Sequence, residues 1–265
     1  MAAKWEVLAN RLAKEIRDGV RPPGSQLPHI RELVAQGAGS KSTVHRAYEW
    51  LESEGLVISM RRHGTTVRDR SRVRVPLDRY ERVLEPGGTK GPWETATAEQ
   101  GLDGRMEVDH PAGETIDAPD DVAELLDLAP GTPVIRRRRR AMIGKDVVQI
   151  QDAWYPLDIA RRAGLDSPEK VTGGALRALI ESGVLVNSAE ADEYVTADIP
   201  DKELAAALSI GGRTAVLRVD RVTSNHEDRP IELVRLIGAG DRLQLVYSPL
   251  PLKIRRPRAG RSTGK

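Results

Sequence analysis

Forty-four consecutive residues, 24–67, constrain this chain more than any other stretch: GSQLPHIRELVAQGAGSKSTVHRAYEWLESEGLVISMRRHGTTV. Pro28 suits a first helical turn ahead of Ile30, Leu33 and Val34, and Gly37-Ala38-Gly39 makes a short turn. Ser40 or Ser42 then caps a second helix, in which Val44, Ala47, Tyr48 and Leu51 recur at i, i+3, i+4 and i+7. After Gly55, Leu56-Val57-Ile58 and Thr65-Thr66-Val67 read as two strands joined through Met60-Arg61-Arg62-His63-Gly64. An earlier helix precedes them, with an apolar stripe of Trp5, Leu8, Leu12 and Ile16 that Gly19 ends.

Helix, turn, helix and a basic-tipped hairpin in that order predict a winged helix-turn-helix. Lys41, Ser42, His45 and Arg46 fall outside the apolar face near the N-terminal end of the second helix. That end is where a recognition helix meets base edges and where backbone N–H groups favour phosphate. At the hairpin tip Arg61, Arg62 and His63 add cationic and polar groups, and Gly64 permits close approach of backbone to a sugar-phosphate. The competing reading of each residue is a solvated helix face; Tyr48 and Trp50 are read as packing residues.

Charge partitions along the chain. Residues 1–75 hold 14 Lys/Arg against 8 Asp/Glu, residues 76–251 hold 21 against 31, and residues 252–265 hold 6 against none. A cationic head and tail around an acidic middle suit a polyanion-binding module joined to a domain that stays off the polyanion. The length of 265 residues allows about two domains. Cysteine is absent, which excludes disulfides and thiol catalysis, and no apolar run nears the ~20 residues of a membrane span. The amphipathic start MAAKWEVLANRL lacks a signal-peptide core, so the cytoplasm is the expected address.

From 71 to 105 prolines and glycines break regularity, and the stretch is read as a linker with one short helix near Trp93 to Gln100. Beyond it lies an internal repeat. Asp117-Ala118-Pro119-Asp120 matches Asp198-Ile199-Pro200-Asp201, Gly131 matches Gly212, and Val134-Ile135-Arg136 matches Val216-Leu217-Arg218. A helix and β-hairpin occurring twice predict an α+β domain with a mainly antiparallel sheet and pseudo-two-fold relation. Five arginines, Arg136 to Arg140, sit on one predicted strand. Alternation puts Arg136, Arg138 and Arg140 on one face and Arg137 and Arg139 on the other. Either one set binds an anionic group, or ion pairs to the domain's carboxylates absorb it.

The head resembles the DNA-binding domain of the GntR family of bacterial transcription regulators. Pro23-Gly24, Leu27-Pro28, Arg31-Glu32-Leu33, Ser40-x-x-Thr43-Val44, Glu54-Gly55-Leu56 and His63-Gly64-Thr65 carry the resemblance. It implies that Arg31, Lys41, Thr43, His45 and Gly64 sit at operator-contact positions. Lys41 and His45 stand where members often have Arg, and neither makes the bidentate guanine contact of Arg.

Residues 106–250 resemble the UTRA effector-binding domain, of chorismate-lyase-like fold, found in the HutC subfamily. Leu128-Ala129-Pro130-Gly131-Thr132, Trp154-Tyr155-Pro156, Leu179-Ile180-Glu181-Ser182-Gly183 and Arg229-Pro230-Ile231-Glu232 support it. It implies a pocket faced by Arg138 and Arg140, counted back from the Gly144 hairpin, with Glu232, Gln151, Gly174 and Ala175 at further lining positions. Gln151 replaces a common glutamate, and Gly174-Ala175 a small hydroxyl.

The expected organisation is therefore a winged helix-turn-helix over 1–70, a linker over 71–105, a UTRA-like α+β domain over 106–251 and a basic tail over 252–265. The expected function is a homodimeric DNA-binding regulator, a repressor, reading palindromic double-stranded DNA and answering a small-molecule effector with an acidic group. A ligand-independent repressor whose C-terminal domain only dimerises stays open. Neither catalysis nor a metal or cofactor is expected, because the five His are scattered and no phosphate-binding or dinucleotide fingerprint is present.

Overall fold

A computed structural model describes residues 2–60, 64–76, 91–186 and 190–247. The wing-tip residues Arg61, Arg62 and His63 and the basic tail lie outside the described residues.

The head consists of α1 (Lys4–Arg17), α2 (Ile30–Ala35), α3 (Lys41–Ser53), β1 (Val57–Met60) and β2 (Gly64–Val67). Its core joins Leu8 and Leu12 of α1, Leu33 of α2 and Val44, Ala47, Tyr48 and Leu51 of α3. Those four α3 residues form the apolar face that the spacing predicts. Trp5 and Ile16, the ends of the α1 stripe, are only partly buried. Helix α3 is capped by Ser40, whose Oγ accepts from the Thr43 N–H at 3.2 Å. Pro28 lies one residue before the N-cap of α2, His29. The Tyr48 hydroxyl donates to the Pro28 carbonyl at 2.6 Å and so ties α3 to the entry of α2. β1 and β2 pair antiparallel, and the wing is widened by residues 24–27, where Gly24 N donates to Val67 O and Leu27 N to Thr65 O.

The stretch read as a linker contributes structure of its own. Its strand β3 (Val73–Pro76) pairs parallel with β11 (Leu243–Val246), and its helix α4 (Pro92–Ala98) sets Trp93 on the C-terminal domain. Trp93 is buried with Ala141, Val148 and Leu243, and its indole N–H donates to Met142 O at 3.2 Å. Gln100 holds α4 to β3 by bonding both the N–H and the carbonyl of Arg74.

The C-terminal sheet contains β4 (Gly104–Val108), β5 (Glu114–Asp117), β6 (Pro133–Ile143), β7 (Asp146–Pro156), β8 (Glu190–Asp198), β9 (Val216–Ser224) and β10 (Pro230–Ala239). The order is β4-β6-β7-β10-β9-β8, with β5 also on β6, and every pairing is antiparallel. Helix α5 (Asp120–Leu125) precedes the β6–β7 hairpin and α8 (Lys202–Ala207) precedes β9–β10, so the sequence repeat is a structural repeat. Its two copies meet where β7 pairs β10. Helices α6 (Leu157–Arg162) and α7 (Ala175–Glu181) pack on one face through Ile135, Tyr155, Ile159 and Leu179. α5 packs on the other through Val134, Trp154 and Leu233. Both faces are therefore covered in part, and each face receives charged side chains in the gaps.

Candidate functional site

The head presents its polar groups outward. Arg31, Lys41, Ser42, His45 and Arg46 are exposed, and Thr43 is half-buried. The Ser40 cap organises this end: its Oγ lies 2.8 Å from Ser42 Oγ and 2.9 Å from Thr43 Oγ1. Gly39 approaches Thr43 so closely that a Cβ there would lie 2.8 Å from Thr43 Cγ2, and its φ of +129° suits glycine. Gly64 begins β2 at φ +77° and lies beside His29, so β2 starts next to the entry of α2. Arg46 is placed differently from Lys41 and His45. Its guanidinium stacks over the Trp5 ring, 4.5 Å from the centroid, and so braces α3 against α1.

The second site is a cavity of about 580 Å³ on the α7 face of the sheet. Cross-strand register builds its floor: Arg139 is opposite Gln151, which is opposite Leu236, and Arg137 is opposite Ala153, which is opposite Val234. Lys170, Val171, Gly174, Ala175 and Leu176 form one wall, and Val75 of β3 with Trp93, Glu94 and Ala96 of α4 forms another. Gln151, Gly174, Ala175 and Glu232 line the cavity. Gly174 is the N-cap of α7 at φ +85°, a conformation that explains glycine there without reference to a ligand.

Arg138 and Arg140 do not line the cavity; Arg137 and Arg139 do. Arg138 makes a bidentate pair with Asp152 at 2.8 and 2.7 Å, and Arg140 reaches Asp109 at 3.1 Å. Arg136 pairs with Glu114 at 2.5 Å. The extra residue of the β6–β7 register shift, Val148, lies on β7, so β6 keeps its alternation, and Arg137 and Arg139 share the side of Ile135, which packs with α6 and α7.

Arg137 is buried and spends its guanidinium on main chain, donating to Leu165 O and Ser167 O at 2.8 Å and to Glu169 O at 2.7 Å. Burial holds its pKa below the ordinary arginine value. Arg139 is different: its Nε is buried with no hydrogen-bond partner among the described residues, as is Oε2 of Glu94, which also lines the cavity. At the far end Glu232 is 1% exposed and accepts from Tyr155 Oη at 2.7 Å, Arg221 at 2.5 Å and Thr223 at 3.1 Å. Burial alone raises the Glu232 carboxyl, but the Arg221 charge and these donors bring it below the usual carboxylate value. Tyr155 is pushed well above 10.0 by burial and then by the Glu232 charge. Sequence reasoning missed Arg137, Arg139, Trp93 and Glu94 as lining residues. Strand alternation grouped the first two, but nothing local indicates that α4 folds back onto the sheet.

Among the described residues no group of His, Asp and Glu has a metal-holding arrangement, and no helix is long and apolar enough to cross a membrane.

Comparison with known proteins agrees with both halves. Residues 5–67 match the bacterial regulatory proteins of the gntR family, and residues 106–244 match the UTRA domain. The chain is 31% identical to an uncharacterized HTH-type transcriptional regulator of Streptomyces coelicolor, covering 93% of this chain and 92% of that one. It is 30% identical to the HTH-type transcriptional repressor PhnF of Mycolicibacterium smegmatis, covering 85% and 84%. The crystal structure of PhnF from Mycobacterium smegmatis superposes with a TM-score of 0.53 at 25% identity, over 90% of this chain and 96% of that one.

Proposed function

Because the chain belongs to the GntR family of transcriptional regulators and carries a UTRA domain, we propose that it is a homodimeric, cytoplasmic repressor that reads a palindromic operator and is modulated by a small molecule. The observation that carries the DNA reading is the exposed, Ser40-capped N-terminal end of α3, where Lys41, Ser42 and His45 face outward with Arg31 of α2. Direct contacts are assigned to Arg31, Lys41, Ser42, Thr43 and His45, with Gly64 and the wing tip Arg61-Arg62-His63 bracing the backbone. One such helix reads only a few base pairs, which is the reason for a two-fold dimer.

The cavity supports the effector reading. Its buried, unpartnered Arg139 Nε and Glu94 Oε2 favour a ligand that brings an acidic or other accepting group to Arg139 and a donor to Glu94. Arg137 shapes the floor, and Gln151, Gly174, Ala175 and Glu232 line it.

Selection of bound DNA from a random pool tests the first half: a palindromic consensus is expected, and recovery of random sequence would refute sequence-specific regulation. Thermal shift against a metabolite panel, followed by operator-binding assays with each hit, tests the second. A chain that releases DNA for no compound acts as a ligand-independent repressor.

A further inference from the structure

The head is docked on the cavity domain through a joint that uses neither the DNA-facing side of α3 nor the cavity itself. Arg68, directly after β2, is buried and makes a bidentate pair with Asp241 at 2.7 and 3.0 Å. The side chains in this pair are only 5% and 12% exposed, so solvent screens it little. Arg70 adds a bond to the same carboxylate at 2.9 Å. The next residue, Arg242, is buried and donates to the carbonyls of Asp69 at 2.8 Å and Ser71 at 3.0 Å.

A second point of contact is backbone against backbone. A Cβ added to Gly211 would overlap Glu52 O and lie 2.9 Å from both Ser53 O and Gly55 N. These atoms belong to the C-terminal end of the recognition helix, which no side-chain rotation can move aside. Lys41, Ser42 and His45 sit at the opposite end of that helix and stay exposed in the docked form. The connection onward is short: three residues after Arg70 begins β3, which pairs with β11 and contributes Val75 to the cavity wall.

We propose that Asp241 and Gly211 are positioning residues that hold the recognition helix on the cavity domain in its operator-binding orientation. The docked geometry leaves the reading end open, so the joint aims the head rather than masking it. It also lies at the end of the strand that lines the cavity, where an occupied cavity can be sensed. This rests on the DNA-binding reading above.

Two full-length variants test it by independent chemistry. Asp241→Asn removes the charge that Arg68 and Arg70 share, and Gly211→Ala drives a methyl into the end of α3. Small-angle X-ray scattering without DNA and affinity for the selected operator are measured for each, with circular dichroism and thermal unfolding to confirm folded domains. Both variants are expected to show a larger radius of gyration and operator affinity lower by on the order of tenfold, as when the competent orientation falls to about a tenth of the population. Arg213→Ala, which breaks an exposed pair to Glu54, is expected to change neither. If one variant fails to fold, the other decides. Unchanged scattering, or expanded scattering with equal or tighter operator binding, overturns the proposal. A wild-type chain that selects no sequence overturns the regulator reading and this proposal with it; scattering recorded without DNA separates that result from a joint that does not hold.

Discussion

Tyr155 and Glu232, 77 positions apart in the chain, meet at 2.7 Å where the end of β7 lies beside the start of β10. The phenol donates to Oε1 of the carboxylate, and Arg221 and Thr223 both donate to Oε2. Each partner comes from a different copy of the internal repeat, so this contact closes the two halves of the sheet over the cavity floor.

Replacing Glu232 with Gln leaves the Arg221 charge buried against a neutral amide. A loss of about 3–5 kcal/mol is expected, the range for breaking a buried ion pair from one side. Because the folded carboxyl titrates below its ordinary 4.5, its contribution is full above about that pH and is lost as pH falls through the folded value. The wild type should therefore lead E232Q by most near neutrality, and the gap should narrow in acid. Urea unfolding at several pH values reads this; a gap independent of pH would remove the charged form from the account.

Neighbouring arginines on β6 should behave oppositely. Arg137→Ala abandons three main-chain carbonyls that its guanidinium holds, and about 2–4 kcal/mol of stability should go with them. Arg138→Ala breaks a pair that is 44% exposed on the arginine side and should cost at most about 1 kcal/mol. Denaturant midpoints compare the two, and similar losses would contradict the face assignment.

Tyr48 is held at about 12 by burial, above its ordinary 10.0. This raised folded value adds stability that is complete below about pH 10 and disappears as pH rises through about 12. Tyr48→Phe should lose roughly 1 kcal/mol at neutral pH from the missing bond to Pro28 O, and should flatten the alkaline limb. Spectrophotometric titration of the phenol checks the shift directly.

On the selected operator, Arg31→Ala should cost about 1–3 kcal/mol and relax preference at one position per half-site. Equal loss on random DNA would make it a phosphate anchor instead. Arg46→Ala should leave base preference intact while removing about 0.5–1 kcal/mol of head stability, because its guanidinium stacks on Trp5. Altered base preference in R46A would return this residue to the reading surface.

Much of the head was legible because its contacts are local. The periods of α1 and α3, a serine cap that the structure assigns to Ser40 rather than Ser42, and the Gly55 break all act within a few residues, and the structure reproduces the inner face of Val44, Ala47, Tyr48 and Leu51 without change. The repeat was legible for a related reason, since each copy carries its own helix and hairpin signals. The stretch 71–105 was not. Val73 to Pro76 finds its partner in Leu243 to Val246, about 170 residues away, and Trp93 finds Ala141 and Val148, contacts that no local pattern announces.

The arginine run shows the division most clearly. Sequence by itself determined that Arg136, Arg138 and Arg140 share one side of a strand and Arg137 and Arg139 the other, because side chains alternate across any strand. Only the tertiary structure decided which side meets the cavity. The packing of α6 and α7 and the carboxylates of Asp109, Glu114 and Asp152 on the opposite face made that choice. An arginine's role follows from the acceptors and desolvation it meets, and those come from segments distant in the chain.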